Sequence, residues 1–148
     1  MIEKITKIYL RGCFYILFLT GFAKIVSSFG VEPILSRPDP ILLMQNRFFF
    51  FLLGILELGI CLVVLTKSAQ QTKLFIISLF GSFLTVYRIG IWWIGWEGDC
   101  PCLGNISSLI DISPKYWNFI MQTAWIYILL ALPLWFYNKR RINLATRV

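Results

Sequence analysis

Apolar and aromatic residues gather into four long runs along this chain, and the segments between the runs and at the two ends carry most of the charged residues. The runs cover approximately residues 8–29, 48–66, 74–96 and 116–137. A helix rises ~1.5 Å per residue, so each run is long enough to cross about 30 Å of hydrocarbon. The polar turn at 67–73 pairs the second run with the third as an antiparallel helical hairpin. The pattern therefore predicts an all-α membrane protein, a four-transmembrane-helix bundle that forms a single domain over residues 1–148.

The composition agrees with a membrane protein. Hydrophobic residues make up 58% of the 148 residues and charged residues only 14%, whereas soluble domains contain about 25% charged residues. The net charge of +7 would suit a nucleic-acid-binding protein, but the basic residues flank the apolar runs, where membrane topology requires them. We therefore expect the lipid bilayer as a partner and no nucleic acid. The sequence has no histidine, which excludes catalysis or metal binding by imidazole.

A cleaved signal peptide is the alternative interpretation of the first run. Val26 and Ser28 are small enough to flank a cleavage site. The run is long for a signal peptide, however, and Lys24 interrupts it where the apolar region of a signal should continue. We therefore expect a membrane helix here.

Basic residues are distributed unevenly between the two ends of the predicted bundle. The N-terminus, the 67–73 turn and the C-terminal tail are basic, and Glu3 is the only acid among them. The other two connections contain acids at Glu32, Asp39, Glu97, Asp99 and Asp111. The positive-inside rule then predicts that both termini are cytoplasmic in a bacterial inner (plasma) membrane. The connection at 97–115 would face the periplasm or the cell exterior, where disulfides persist.

The connection between the third and fourth runs contains a Cys-Pro-Cys sequence, Cys100-Pro101-Cys102, with Gly104 two residues further on. Two thiols one residue apart can close a small disulfide ring. The residue before a proline prefers extended geometry, which pushes the two cysteines toward the upper end of the allowed Cα separation, and Gly104 frees the chain to turn afterwards. A strained disulfide is easily reduced and suits exchange. Three alternatives remain open: an inert staple, a Cu(I) site, and a disulfide to another chain.

Three charged residues lie deep inside the predicted spans: Lys24, Glu57 and Arg88. Charges in hydrocarbon are costly, so each is a functional candidate by default. They could neutralise one another in the bundle interior, tune the reactivity of the thiols, or accompany proton release. A structural ion pair is an equally good interpretation, and Lys24 could instead extend its ammonium group to the membrane surface.

The other two cysteines, Cys13 and Cys61, lie within spans. At 100° per residue, Cys13 shares a helix face with Lys24, and Cys61 shares one with Gly54 and Glu57. They could form a second thiol pair. The interpretation that we favour is two small buried residues that fill gaps in the packing.

Short motifs in three parts of the chain resemble a family of membrane proteins. The first span contains Arg11-Gly12 followed by Phe18, Gly21 and Lys24, and the second contains Gly54-Ile55-Leu56-Glu57-Leu58-Gly59. These are similar to elements of DoxX-like four-helix membrane proteins. The segment from Asp99 to Gly104 resembles the Cys-x-Cys-x-Gly segment of the MauE (methylamine utilisation) branch. The DoxX resemblance implies a subunit of a quinone-linked oxidoreductase, and the MauE resemblance implies disulfide formation or maturation of an exported partner enzyme.

Our leading hypothesis is a thiol–disulfide oxidoreductase in which Cys100 and Cys102 exchange disulfides with a periplasmic thioredoxin-like or substrate protein. A quinone lodged against Trp92, Trp93 and Trp96 is one hypothesis for the electron acceptor, although an interfacial tryptophan belt is the interpretation that we favour. The alternative function is a non-catalytic membrane anchor or assembly subunit with a structural disulfide. A transporter that uses the charges in the spans is disfavoured, because the sequence has no internal repeat.

Overall fold

The computed structural model describes residues 2–31, 33–95 and 114–145, and these residues are almost entirely helical, with no β-strand among them. In chain order the helices are α1 Ile2–Ser28, α2 Pro33–Ser36, α3 Asn46–Leu65, α4 Gln70–Trp93, α5 Pro114–Leu129 and α6 Ala131–Ala145. The stretches long and apolar enough to cross a membrane are Lys4–Ser28, Asn46–Leu65, Gln70–Trp93 and Phe119–Arg140. The prediction of four membrane-spanning helices is confirmed to this extent.

The helices extend beyond the apolar runs at their polar ends. α1 begins at Ile2, about six residues before the predicted start, and α4 begins at Gln70, four residues before its predicted start. The added residues include lysine and glutamine, whose straight side chains lose little freedom in a helix, and they include no proline or glycine. Hydropathy marks where a helix enters lipid, whereas backbone geometry lets the same helix continue into the headgroup layer.

The fourth span consists of α5 and α6, which are separated by a break at Leu130. The Leu130 amide donates to the carbonyls of both Ile126 and Tyr127 at 3.2 Å, the shared bonding of a tightened last turn. Pro133 has no N–H for the carbonyl four residues before it, and its ring crowds that turn. The proline therefore breaks the helix about one turn N-terminal to itself.

α1 packs most extensively on α3, and two glycines set the distance between them. A Cβ atom added to Gly54 would lie 2.8 Å from the carbonyl oxygen of Gly21 and 2.7 Å from Cγ1 of Ile25. A Cβ added to Gly21 would lie 3.1 Å from the carbonyl oxygen of Gly54. Lipid tails are as apolar as leucine, so membrane helices associate through close packing and polar contacts. Gly21 and Gly54 provide the close packing between α1 and α3.

The fourth span contacts both α1 and α4. The Tyr9 hydroxyl lies 3.0 Å from the carbonyl oxygen of Tyr127 and 3.1 Å from that of Ile128, just before the break. Gly12 faces the Tyr127 hydroxyl, which a Cβ at position 12 would approach to 2.3 Å. On the other side, Gly81 of α4 faces Ile128. Through these contacts the fourth span packs against both α1 and α4 next to its break.

The turn between α3 and α4 is closed by a lysine. The Lys73 ammonium group donates to the carbonyl oxygens of Val64 and Thr66, both at 2.7 Å. Carbonyls at the end of a helix have no intrahelical partner, and a cation there also interacts favourably with the helix dipole. Lys73, in the first turn of α4, thus provides hydrogen-bond donors to carbonyl oxygens at the end of α3. The predicted helical hairpin forms at this turn.

We expect Gly54→Ala to destabilise the folded protein by about 1–3 kcal/mol, because the added methyl group must push α1 away from α3. Gly59→Ala is the matched control on the same helix, since a Cβ at Gly59 meets nothing within 4 Å. Thermal unfolding in detergent, followed by circular dichroism, measures both. Equal stability of the two variants would contradict the close approach of α1 and α3.

Candidate functional site

An ion pair buried between α1 and α3 is the main polar feature of the described bundle. The Lys24 Nζ lies 2.6 Å from the Glu57 Oε1, and the two side chains are only 5% and 3% exposed. Each charged residue follows a glycine of the close helix contact by three positions, Gly21 before Lys24 and Gly54 before Glu57. The short distance between the backbones therefore brings the two side chains within reach of each other.

Thr20 completes this site. Its hydroxyl lies 2.9 Å from the Glu57 Oε2 and 2.9 Å from the carbonyl oxygen of Ile16. Both carboxylate oxygens of Glu57 thus have a partner, one cationic and one neutral. A buried ion pair is stable only when its remaining hydrogen-bonding capacity is also satisfied. The alternative in which Lys24 extends to the membrane surface is wrong, because its ammonium group points into the bundle.

Arg88 does not join this pair. Its guanidinium carbon lies 5.4 Å from the centroid of the Trp125 ring, within the range of a cation–π contact. The indole Nε1 of Trp125 donates to the Thr85 hydroxyl at 3.2 Å, which orients the ring. Of the three charges that the sequence places deep in the spans, the structure brings two together and places the third on an aromatic face between α4 and α5.

Cys13 and Cys61 are both buried free thiols. They lie on the helix faces predicted from the spacing, those of the buried Lys24 and Glu57. The Cys61 thiol donates to the carbonyl oxygen of Phe14 at 3.6 Å, across the α1–α3 contact. Their burial among core residues agrees with the gap-filling role.

Trp92 and Trp93, at the end of α4, are 80% and 83% exposed. Side chains at this end of a span that face outward occupy the positions of an interfacial aromatic belt. Trp96 lies outside the described residues.

Asp39 is a buried acid that sequence reasoning did not single out. It is 1% exposed, and its Oδ1 accepts hydrogen bonds from the amides of Ile41 at 2.9 Å and Leu42 at 2.8 Å. The Tyr87 hydroxyl of α4 donates to its Oδ2. Asp39 precedes Pro40, and aspartate commonly bonds the backbone two residues on in such turns. That local signal predicts the turn, but nothing local predicts Tyr87 as the partner.

The Asp39 turn packs against the C-terminal part of α4. Besides the bond to Tyr87, the Ile41 side chain packs on Gly90, where a Cβ would lie 2.9 Å from its Cδ1. The α1–α3 connection therefore lies against the last turns of α4. Gly95, with φ +69°, follows α4 at this same end.

The Cys-Pro-Cys residues, Cys100, Pro101 and Cys102, lie outside the described residues, as does Gly104. The supporting residues Lys24, Glu57 and Arg88 are described, and all three lie in the spans. Comparison with family models, with curated proteins and with solved structures finds no match to this chain.

We expect Glu57→Gln and Lys24→Met each to lower the stability of the folded protein by about 3–5 kcal/mol, because each leaves a buried polar group without its partner. The double variant should be less destabilised than the sum of the two, and that coupling identifies a direct pair. Unfolding in detergent measures all three. Lys4→Met, which removes an exposed charge from the same helix, is the control and should stay near the wild type. Additive losses would contradict the pairing.

We expect Tyr87→Phe to loosen the Asp39 turn and to cost about 1–3 kcal/mol, because one oxygen of a buried carboxylate loses its donor. Hydrogen exchange of the 30–45 backbone should rise, while exchange within α3 stays slow. Tyr15→Phe is the matched control, since Tyr15 is 63% exposed. Unchanged exchange at 30–45 would show that the turn does not depend on Tyr87.

Proposed function

We propose that this chain is a multi-pass inner-membrane protein that exchanges disulfides through Cys100 and Cys102. The observation that carries the proposal is the position of these thiols in the sequence, seven and nine residues beyond the end of a membrane-spanning helix and within a Cys-Pro-Cys sequence. A pair so close to the end of a span would be presented near one membrane surface. Cys13 and Cys61, in contrast, are buried between helices, where a protein substrate has no access.

We infer the orientation from the distribution of charge. Lys7, Arg11, Lys67 and Lys73 line one cleft, so the start of α1 and the α3–α4 turn lie at the same end of the bundle. The positive-inside rule favours this end as the cytoplasmic one. The opposite end, which contains the Asp39 turn and the end of α4, would then face the periplasm or the cell exterior. That compartment is the one in which an exchanging disulfide can persist.

The proposed reaction is thiol–disulfide exchange. A thiolate of the exported partner attacks the Cys100–Cys102 disulfide, forming a mixed disulfide and releasing one cysteine as a thiolate. The second thiolate of the partner then displaces the bound cysteine, so the partner gains a disulfide and Cys100 and Cys102 become a dithiol. Two electrons and two protons pass from the partner to this chain. An exported thioredoxin-like disulfide returns the pair to its oxidised state by the reverse exchange.

Lys24 and Glu57 serve in this proposal as positioning residues. Their charges are satisfied within the α1–α3 contact, so they hold two helices together rather than meet a substrate. Arg88 lies closer to the end of α4, five residues before Trp93, but its guanidinium group stands on Trp125. The bundle would act as the support from which the thiols are presented.

The proposed place among DoxX-like proteins of the MauE branch rests on the resemblance of short sequence motifs. The residues that carry the resemblance in the first two spans, Gly21 with Lys24 and Gly54 with Glu57, come from segments that are far apart in the chain. They meet in a single contact. A shared contact is a physical reason for the two short motifs to occur together.

A second candidate is a non-catalytic anchor or assembly subunit, in which the Cys100–Cys102 disulfide is structural. The observation that favours it is that the three charged residues deep in the spans, Lys24, Glu57 and Arg88, all have partners inside the bundle. Such a bundle could present the segment after α4 to another subunit without doing chemistry.

We expect a membrane-impermeant maleimide to label Cys100 and Cys102 in intact cells after mild reduction. One of the single variants Cys100→Ser and Cys102→Ser should accumulate mixed disulfides with exported proteins, because the remaining thiol can attack but the intermediate cannot be resolved. Non-reducing electrophoresis and mass spectrometry detect them. Cys13→Ser/Cys61→Ser is the matched control and should keep both labelling and exchange.

Two outcomes would contradict the proposal. If the maleimide reacts only after the cells are opened, the orientation is inverted and the thiols face a reducing compartment. If both single variants maintain the oxidation of exported proteins at the wild-type level, the disulfide is structural and the anchor function stands.

A further inference from the structure

A basic cleft lies at the end of the bundle opposite the Asp39 turn. It has a volume of about 600 Å³ and lies between the start of α1 and the α3–α4 turn. Four of the residues that line it are cationic: Lys7, Arg11, Lys67 and Lys73. Among the described residues, the lining includes no aspartate or glutamate. Neither the buried ion pair nor the proposed thiol chemistry uses this cleft.

The cations that line the cleft come from two parts of the fold. Arg11 lies on the α1 side, and Lys67 and Lys73 lie on the side of the α3–α4 turn. An anion bound between the two sides would be attracted by both.

The position of Lys73 is fixed by the fold. Two N–H groups of its ammonium are used by the carbonyl oxygens of Val64 and Thr66. An ammonium group has three donors, so one remains for a ligand. Because Lys73 is held in place by the end of α3, it needs little reordering to bind an anion, which reduces the entropy lost on binding.

Besides the cations and the polar residues Ser68 and Gln70, the lining has an apolar part that continues along the helices. Leu10 and Phe14 contribute it from α1, and Val64 and Leu65 contribute it from α3. A cationic end beside an apolar wall matches a molecule with an anionic head and a hydrocarbon chain. A free anion would contact only the cationic end of the cleft and not its apolar wall.

The depth of the cleft also suits a lipid. Leu65 is the last residue of α3, and Lys73 lies in the first turn of α4, so the cations lie at the end of two spans. Span ends lie at the level of lipid headgroups, and basic pockets between membrane helices at this level bind anionic headgroups.

We propose that this cleft is a binding site for an anionic phospholipid, with the phosphate between Arg11, Lys67 and Lys73 and an acyl chain along Leu10 and Phe14. The ligand chemistry is a phosphate diester joined to hydrocarbon, and the bilayer is its source. The site does not depend on Cys100 or Cys102, so it stands or falls separately from the thiol chemistry.

The test uses the full-length protein purified in neutral detergent, which removes any effect of topology. Short-chain phosphatidylglycerol, phosphatidylcholine of the same acyl length, and inorganic phosphate are titrated separately. The thermal unfolding midpoint gives an apparent affinity, because a ligand that binds only the folded state raises it. We expect phosphatidylglycerol to bind at least about tenfold more tightly than phosphatidylcholine, with little effect of inorganic phosphate at the same concentrations.

The cleft variant is Arg11→Gln/Lys67→Gln, which spares the structural bonds of Lys73. Each cation at a headgroup site contributes roughly fivefold in affinity, so the variant should lose at least about tenfold for phosphatidylglycerol and nothing for phosphatidylcholine. Lys4→Gln/Arg140→Gln is the matched control. It removes two exposed charges that do not line the cleft and should keep the preference.

Three results would overturn the proposal. Equal losses in the two double variants would indicate general attraction to net charge. Equal stabilisation by inorganic phosphate would assign the site to a free anion. Equal affinity of the wild-type protein for the two lipids would show that the cleft does not select an anionic headgroup. This comparison uses only the wild-type protein, so it is valid even if the cleft variant does not fold.

Discussion

The close contact of α1 with α3 is the constraint on which the rest of the bundle depends. Gly21 and Gly54 let the two backbones approach, and Lys24 and Glu57 occupy the next turn of each helix. Each feature requires the other. Without the glycines the 2.6 Å ion pair could not form, and without the pair two charges would face hydrocarbon alone. Thr20 bonds the other carboxylate oxygen, so both oxygens of Glu57 have a partner within the contact.

The remaining helices are joined to this pair by polar contacts at different depths. Near the middle of the fourth span, the Tyr9 hydroxyl bonds two carbonyls just before the break that Pro133 causes. At one end Lys73 closes the turn from α3 to α4, and at the other Asp39 joins the α1–α3 connection to Tyr87. In hydrocarbon, where apolar packing distinguishes poorly between neighbours, such bonds select which helix faces meet.

The two ends of the bundle differ in chemistry, and a different function is proposed for each end. One end combines cations with an apolar wall, which suits an anionic lipid. The other is compact, with a buried aspartate whose oxygens are all bonded, and it is the end from which the chain continues toward Cys100. A rigid support at this end would hold a reactive pair at the membrane surface. Between the two ends, the buried charges of Lys24, Glu57 and Arg88 already have partners, so the interior serves as structural support.

The sequence by itself determined the number of spans, their approximate limits and the faces of the first two spans that point inward. These follow from local properties: apolar length, proline positions and the 3.6-residue period. Tertiary structure alone decided the partners. Glu57 meets Lys24, which is 33 positions away, and Arg88 stands on Trp125 instead. Asp39 is buried by Tyr87, 48 positions away. Several pairings satisfy the same pattern of charges, and only the distances and rotations set by helix packing choose among them.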